Sequence, residues 1–214
     1  MIINFLAKKK DDKSMQAREL TIHEIVSGKM LESGEVLTRL GICSKVIKIT
    51  CVVTDTALAA KDVVRITVGG LKEGILRAIV DTQEEIKLCS PVEIVGTAIC
   101  ISPPFLFNVN KIKILNDTEE VLQRYKTIFE HRLKHLDYVE QIQKVSSPEQ
   151  SEEDVDKISS ELKLPLSKDE IKHILLAQKT FGPINVDEIR KDYNLDLKTI
   201  TTTLRLTRRY ENAR

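Results

Sequence analysis

Tryptophan is absent from this 214-residue chain, and its five Phe and four Tyr leave a long gap, with none between Phe5 and Phe105. Proteins that grip bases or sugars by ring stacking need aromatic side chains on the binding face, and the first half of the chain has none to offer. The four cysteines (Cys43, Cys51, Cys89 and Cys100) show none of the C-x-x-C spacing that marks a zinc site or a dithiol centre. They read as reduced, buried thiols of an intracellular protein. No apolar run approaches the roughly 18 residues of a membrane-spanning helix, so no membrane association is expected. The start, MIINFLAKKKDDKS, sets its short apolar stretch ahead of its lysines, the reverse of a secretory signal, and secretion is not expected. Neither sign of charge is in excess: 33 Lys and Arg stand against 32 Asp and Glu. With 42% hydrophobic residues the chain can build a core, which excludes wholesale disorder.

Catalytic constellations are also missing. His131 and His135 stand at a spacing a metal can use, but no H-E-x-x-H accompanies them, and their neighbours Glu130, Arg132 and Lys134 read as a solvated face. Gly69, Gly70 and Gly74 lack the Lys-Ser/Thr and the helix start of a phosphate loop, so they read as a hairpin turn. No catalytic residue, metal ligand or cofactor site is expected, and the chain reads as a non-enzyme.

What is present divides the chain by composition. Residues 1–18 are polar and Lys-rich and read as a flexible arm. Residues 19–116 are rich in Val, Ile and Thr. Within them Thr21 and Glu24 have capping-box spacing for a short helical turn. Five strands are expected after it, at 45–54, 63–68, 75–80, 91–101 and 105–115, with a short helical insert between the third and fourth. Five strands with a long first one is the order of an OB-fold, a small Greek-key barrel, and Gly96 suits the bend such a barrel needs.

Residues 117–145 read as one amphipathic helix, with Leu122, Tyr125, Phe129, Leu133 and Leu136 at three- and four-residue spacing. This stripe reads as an oligomerisation face offered to partner helices, because about 29 residues span ~43 Å, more than one side of a small barrel. Packing against its own barrel is the alternative. Residues 146–163 contain SSPEQSEEDVD and read as an acidic linker. Residues 164–214 suggest three helices, capped by Ser167, capped by Asn185, and running 197–210 with a break at Asn194, a winged-helix-like pattern. Arg205, Arg208 and Arg209 near its end read either as phosphate contacts or as a solvated final turn suited to the helix dipole.

Taken in order, LTIHEIVSGKM, LTRLGICSKVIKITCVV, VVRITVGG with GILRAIVD, PVEIVGTA and NKIKILNDTEEVLQRYKTIFEH resemble the middle subunit of replication protein A, the eukaryotic single-stranded DNA-binding heterotrimer. The resemblance covers about 19–145 and 165–214 and rests on the order of the parts. It implies a structural subunit with large and small partner subunits, contact with single-stranded DNA, and a C-terminal domain that docks replication and repair proteins in the nucleus (or the cytoplasm or nucleoid, in an archaeon). The related telomere-capping subunit and a stand-alone OB-fold binder of RNA or single-stranded DNA are the alternatives. The family's two stacking aromatics fall on Ile79 and Asn110, neither of which can stack. Basic side chains expected on or near the face are Lys48, Arg65, Arg77, Lys111 and Lys113, and Phe105 or Phe107 could supply a ring. Ser14 alone remains of the family's Ser-rich tail.

Overall fold

The structure, a computed structural model, describes residues 17–71, 74–82, 85–101, 105–146 and 153–211, the side chains of 153–154 and 207–211 excepted. Almost all of the expected arm therefore lies outside the described residues, as do 147–152 of the expected linker and the side chains of Arg208 and Arg209.

The chain opens with strand β1 (Arg18–Glu19) and helix α1 (Ile22–Val26). Thr21 and Glu24 cap α1 reciprocally, the Thr21 hydroxyl accepting from the Glu24 amide and the Glu24 carboxylate from the Thr21 amide. Three two-residue strands follow, β2 (Lys29–Met30), β3 (Val36–Leu37) and β4 (Cys43–Ser44), paired into a small antiparallel sheet.

Five strands then build the barrel: β5 (Ile47–Ala60), β6 (Val63–Gly69), β7 (Ile75–Asp81), β8 (Pro91–Cys100) and β9 (Leu106–Ile114). They pair in the order β5-β6-β7-β9-β8, and β8 returns to β5, so the sheet closes on itself. Only the β7–β9 contact within this ring is parallel. This is the OB-fold expected from the strand pattern. Closure follows from period-two alternation. Ile47, Ile49, Cys51, Val53, Ile66, Val68, Leu76, Ala78, Val80, Val92, Ile94 and Phe107 point inward and form one core, while Arg65, Arg77 and Asn108 take the outward positions between them. Gly96 is required where β8 meets β9, because a Cβ there would sit 1.9 Å from the Asn108 carbonyl oxygen and 2.8 Å from the Phe107 ring. No helix occurs among the described residues between β7 and β8, where a helical insert is expected.

Helix α2 (Thr118–Val145) starts at Asp117, whose carboxylate accepts from the Glu120 amide. Its first half closes one end of the barrel: the Tyr125 hydroxyl donates to the Thr50 carbonyl at 2.8 Å and is buried. Helices α3 (Glu153–Leu162), α4 (Lys168–Phe181) and α5 (Val186–Glu211) complete the chain.

Three expectations change here. The segment 146–163 is not linker throughout. Val155, Ile158 and Leu162 supply an apolar stripe inside the acidic sequence, and α3 buries Val155 and Ile158 with Val139, Ile142, Ile171 and Ile174. The C-terminal part has no wing, since no strand follows Ile114 among the described residues. Ser167 and Asn185 cap α4 and α5 as expected, but α5 runs through Asn194 without a break. Asn within a helix costs only a few tenths of a kcal/mol, and a continuous α5 lines up Tyr193, Leu197, Ile200 and Leu204 against α2.

Candidate nucleic-acid interface

The outer surface of β6, β7 and β9 forms the face on which the basic side chains can be compared. Register sets it out in two rows. Arg65 is level with Ile79, Ile79 with Asn108, and Asn108 with Thr97. One step along, Thr67 is level with Arg77 and Arg77 with Leu106. Arg65 and Arg77 are therefore diagonal neighbours, about 7–8 Å apart at the backbone, and both are exposed. Neither has an ion-pair partner among the described residues. Lys111, exposed on β9 opposite Val95, likewise has none.

The other two expected cations are occupied. Lys48 lies 3.4 Å from a Glu19 carboxylate oxygen and 3.8 Å from one of Glu93. Lys113 lies 4.0 Å from Glu120. Arg124, at the start of α2, completes the network by pairing with both Glu93 and Glu120. Three cations face three carboxylates, so this corner of the barrel, where α2 meets β8 and β5, is neutral. The hydrogen bond from Arg124 and that from the Asn116 amide hold the Glu120 carboxyl below its ordinary range. Lys113 thus fastens α2 to the barrel, and Lys48 ties β5 to β1 and β8, rather than waiting for phosphate.

The rings are not on the face. Phe107 is wholly buried inside the barrel, since the alternation of β9 sends 107 and 109 inward. Phe105 is half-buried and packs against the same core. Ile79 is outward, as the resemblance implies, but the residue level with it is Asn108. Asn110 occupies a bulge, between the pairs Gly96–Val109 and Val95–Lys111. The face is two arginines set among aliphatic and small polar side chains, Ile75, 61% exposed, among the former and Thr67 and Asn108 among the latter.

The α2 stripe is also placed differently. Tyr125, Phe129 and Leu136 are buried within this single chain, Leu122 is nearly so, and Leu133 packs half-buried against the barrel core. Phe129 stacks on Tyr193 of α5 with ring centroids 5.3 Å apart, and the Tyr125 ring lies 6.0 Å from it in a tilted contact. The length argument for partner helices fails because α5 returns alongside α2 and covers what the barrel does not.

Two features escaped the sequence reading. Arg132, on the face read as solvated, is buried against Glu24. His135 is half-buried, its Nε2 2.9 Å from the Leu40 carbonyl, and burial pushes its pKa below the ordinary imidazole value. Their only sequence signal is adjacency to the half-buried Leu133 and the buried Leu136. No group of three or more His, Cys, Asp or Glu side chains that could hold a metal occurs among the described residues, and no helix there is long and apolar enough to cross a membrane.

No family model matches the chain, and no curated protein matches it. Among solved structures, the Stn1–Ten1 complex of S. pombe is similar at 11% identity, over 51% of this chain and 86% of that one, with a TM-score of 0.45. A replication protein A heterotrimer bound to single-stranded DNA is similar at 20% identity, over 49% of this chain and 85% of that one, with a TM-score of 0.40.

Proposed function

We propose that this chain is a non-catalytic, structural subunit of a replication protein A-like, heterotrimeric single-stranded DNA-binding complex, acting in replication, repair and recombination in the nucleus. It assembles with a large and a small subunit, recruits replication and repair proteins through the segment from residue 164, and touches DNA weakly. The observation that supports the weak contact is the pair Arg65 and Arg77, exposed on the outer face of a closed OB barrel where, among the described residues, neither has a counter-ion and no ring is fully exposed. Arginine attracts phosphate, but each missing stacking platform forgoes about 1–3 kcal/mol per base. Binding carried by phosphate contacts alone falls steeply with salt.

The test is fluorescence anisotropy of the full chain on a labelled dT oligomer at low and moderate salt, paired with co-expression with candidate large and small subunits and native mass spectrometry. Weak, strongly salt-dependent binding together with a stoichiometric three-chain complex is the expected result. Submicromolar, salt-insensitive binding by the chain alone, or a chain that remains monomeric with every candidate subunit, overturns the proposal.

A further inference from the structure

Helix α5 has two apolar faces, and the fold uses one. Tyr193, Leu197, Ile200 and Leu204 pack toward α2. On the opposite face Leu195 and Leu206 are 63% and 48% exposed. Between them lie Thr199 and Thr202, so that the series 195, 199, 202, 206 advances by four, three and four residues, the spacing of a coiled-coil seam.

The threonines do not make this seam polar. The Thr199 hydroxyl donates to the Leu195 carbonyl at 3.0 Å and that of Thr202 to the Lys198 carbonyl at 2.8 Å. With their hydroxyls turned back onto the helix, they leave methyl groups along the track. Beside the seam Lys191, Lys198 and Arg205 recur every seven residues, all exposed and none with an ion-pair partner among the described residues. That is the flanking position from which charged side chains select a partner helix.

We infer that the outer face of α5 is an assembly seam, which receives lengthwise an amphipathic helix of another subunit bearing acidic residues opposite Lys191, Lys198 and Arg205. A second copy of this chain fits poorly. A parallel pairing sets Asp192, one heptad before Thr199, against its own counterpart, and an antiparallel pairing sets the cationic rows against each other. The inference rests on the reading of this chain as an assembling subunit, and it moves the contact from the α2 stripe, which the chain covers itself, to a face it leaves open.

The probe is a fluorescein-labelled 21-residue peptide with Leu at its a and d positions and Glu at e and g, compared with the same peptide carrying Lys at e and g. Anisotropy with the full chain at pH 7 is expected to show at least tenfold tighter binding of the Glu peptide. Leu195→Asp with Leu206→Asp abolishes it while circular dichroism is unchanged, both side chains being exposed. Lys191→Glu, Lys198→Glu and Arg205→Glu together invert the preference. Equal binding of both peptides, binding that survives the leucine substitutions, or sedimentation showing a dimer of the chain alone that those substitutions dissolve, overturns the inference. A dT oligomer titrated with the same samples separates the two readings. A wild-type chain that fails to bind it counts against the DNA-complex function and leaves the seam standing.

Discussion

Arg132 of α2 and Glu24 of α1 form a buried ion pair across 108 residues of chain, Nε lying 2.5 Å from Oε1. The same guanidinium donates to the Glu19 carbonyl, so one side chain ties α2 to both α1 and β1. Burial alone would raise the Glu24 carboxyl; the Arg132 charge and the hydrogen bonds from Arg132 and Thr21 bring it below its ordinary value.

Removing one partner of such a pair leaves a buried charge unanswered. Arg132→Met is expected to lower stability by about 3–5 kcal/mol, and adding Glu24→Gln to recover much of that loss. Because the folded pKa of Glu24 is depressed, its contribution is full above the ordinary carboxylate range and is lost as pH falls through the folded value. Urea unfolding from pH 7 downward checks both points: Glu24→Gln should flatten the acid limb, and a limb as steep as the wild type's would contradict the assignment.

Phe129 packs against both the Tyr125 and the Tyr193 rings and is 2% exposed. Phe129→Ala is therefore expected to destabilise the isolated chain by about 3–5 kcal/mol, and Phe129→Asp to unfold α5 from α2. A surface residue awaiting a partner would instead leave the monomer's melting temperature within a few degrees of wild type.

How far the sequence disclosed this structure depends on the element. Four barrel strands were legible within a residue or so, because alternation and Gly-rich turns leave one register that buries Ile47, Ile49 and Ile66 together, while the first was expected to stop at 54 and runs on to Ala60. The α1 cap was legible because the Thr21–Glu24 pair is local. The partner of the α2 stripe was not. An apolar stripe states that something covers it, without saying whether that is the barrel, α5 or another chain. Charge on a helix was equally silent, since nothing in the spacing separates Arg132, which meets Glu24 from far along the chain, from Lys126, which meets its own neighbour Glu130. At the candidate interface, the strand pattern identified Arg65 and Arg77 as outward. The ion pairs that occupy Lys48 and Lys113 required knowledge of where α2 lands.

Ile79 supplies a gain-of-function test of the missing platform. It is outward on β7, level with Arg65 on one side and Asn108 on the other. Ile79→Tyr places a ring beside both Arg65, level with it on β6, and Arg77, two residues away on β7, and is expected to strengthen binding to a dT oligomer by about 1–3 kcal/mol, with weaker salt dependence in relative terms. Anisotropy decides it: an unchanged affinity in a variant that melts like the wild type would show that bases do not pass over this row.

The five cations nominated from sequence separate into two groups by their counter-ions, and this predicts opposite outcomes. Arg65, Arg77 and Lys111 are without carboxylate partners among the described residues, so a phosphate that reaches them displaces only solvent and salt ions. Lys48 and Lys113 already face Glu19, Glu93 and Glu120, and engaging phosphate there would require breaking a neutral network that also holds Arg124. Arg65→Gln and Arg77→Gln should each weaken single-strand binding and reduce the slope of log affinity against log salt by about 0.7. Lys48→Gln and Lys113→Gln should leave both quantities nearly unchanged, the first loosening β1 and β8 from β5 and the second loosening α2, each read as a small fall in melting temperature. Titrations of the four variants at several salt concentrations give the slopes directly. If the lysine variants lost slope and the arginine variants did not, the DNA path would have to run over the β5–β8 corner beneath the start of α2.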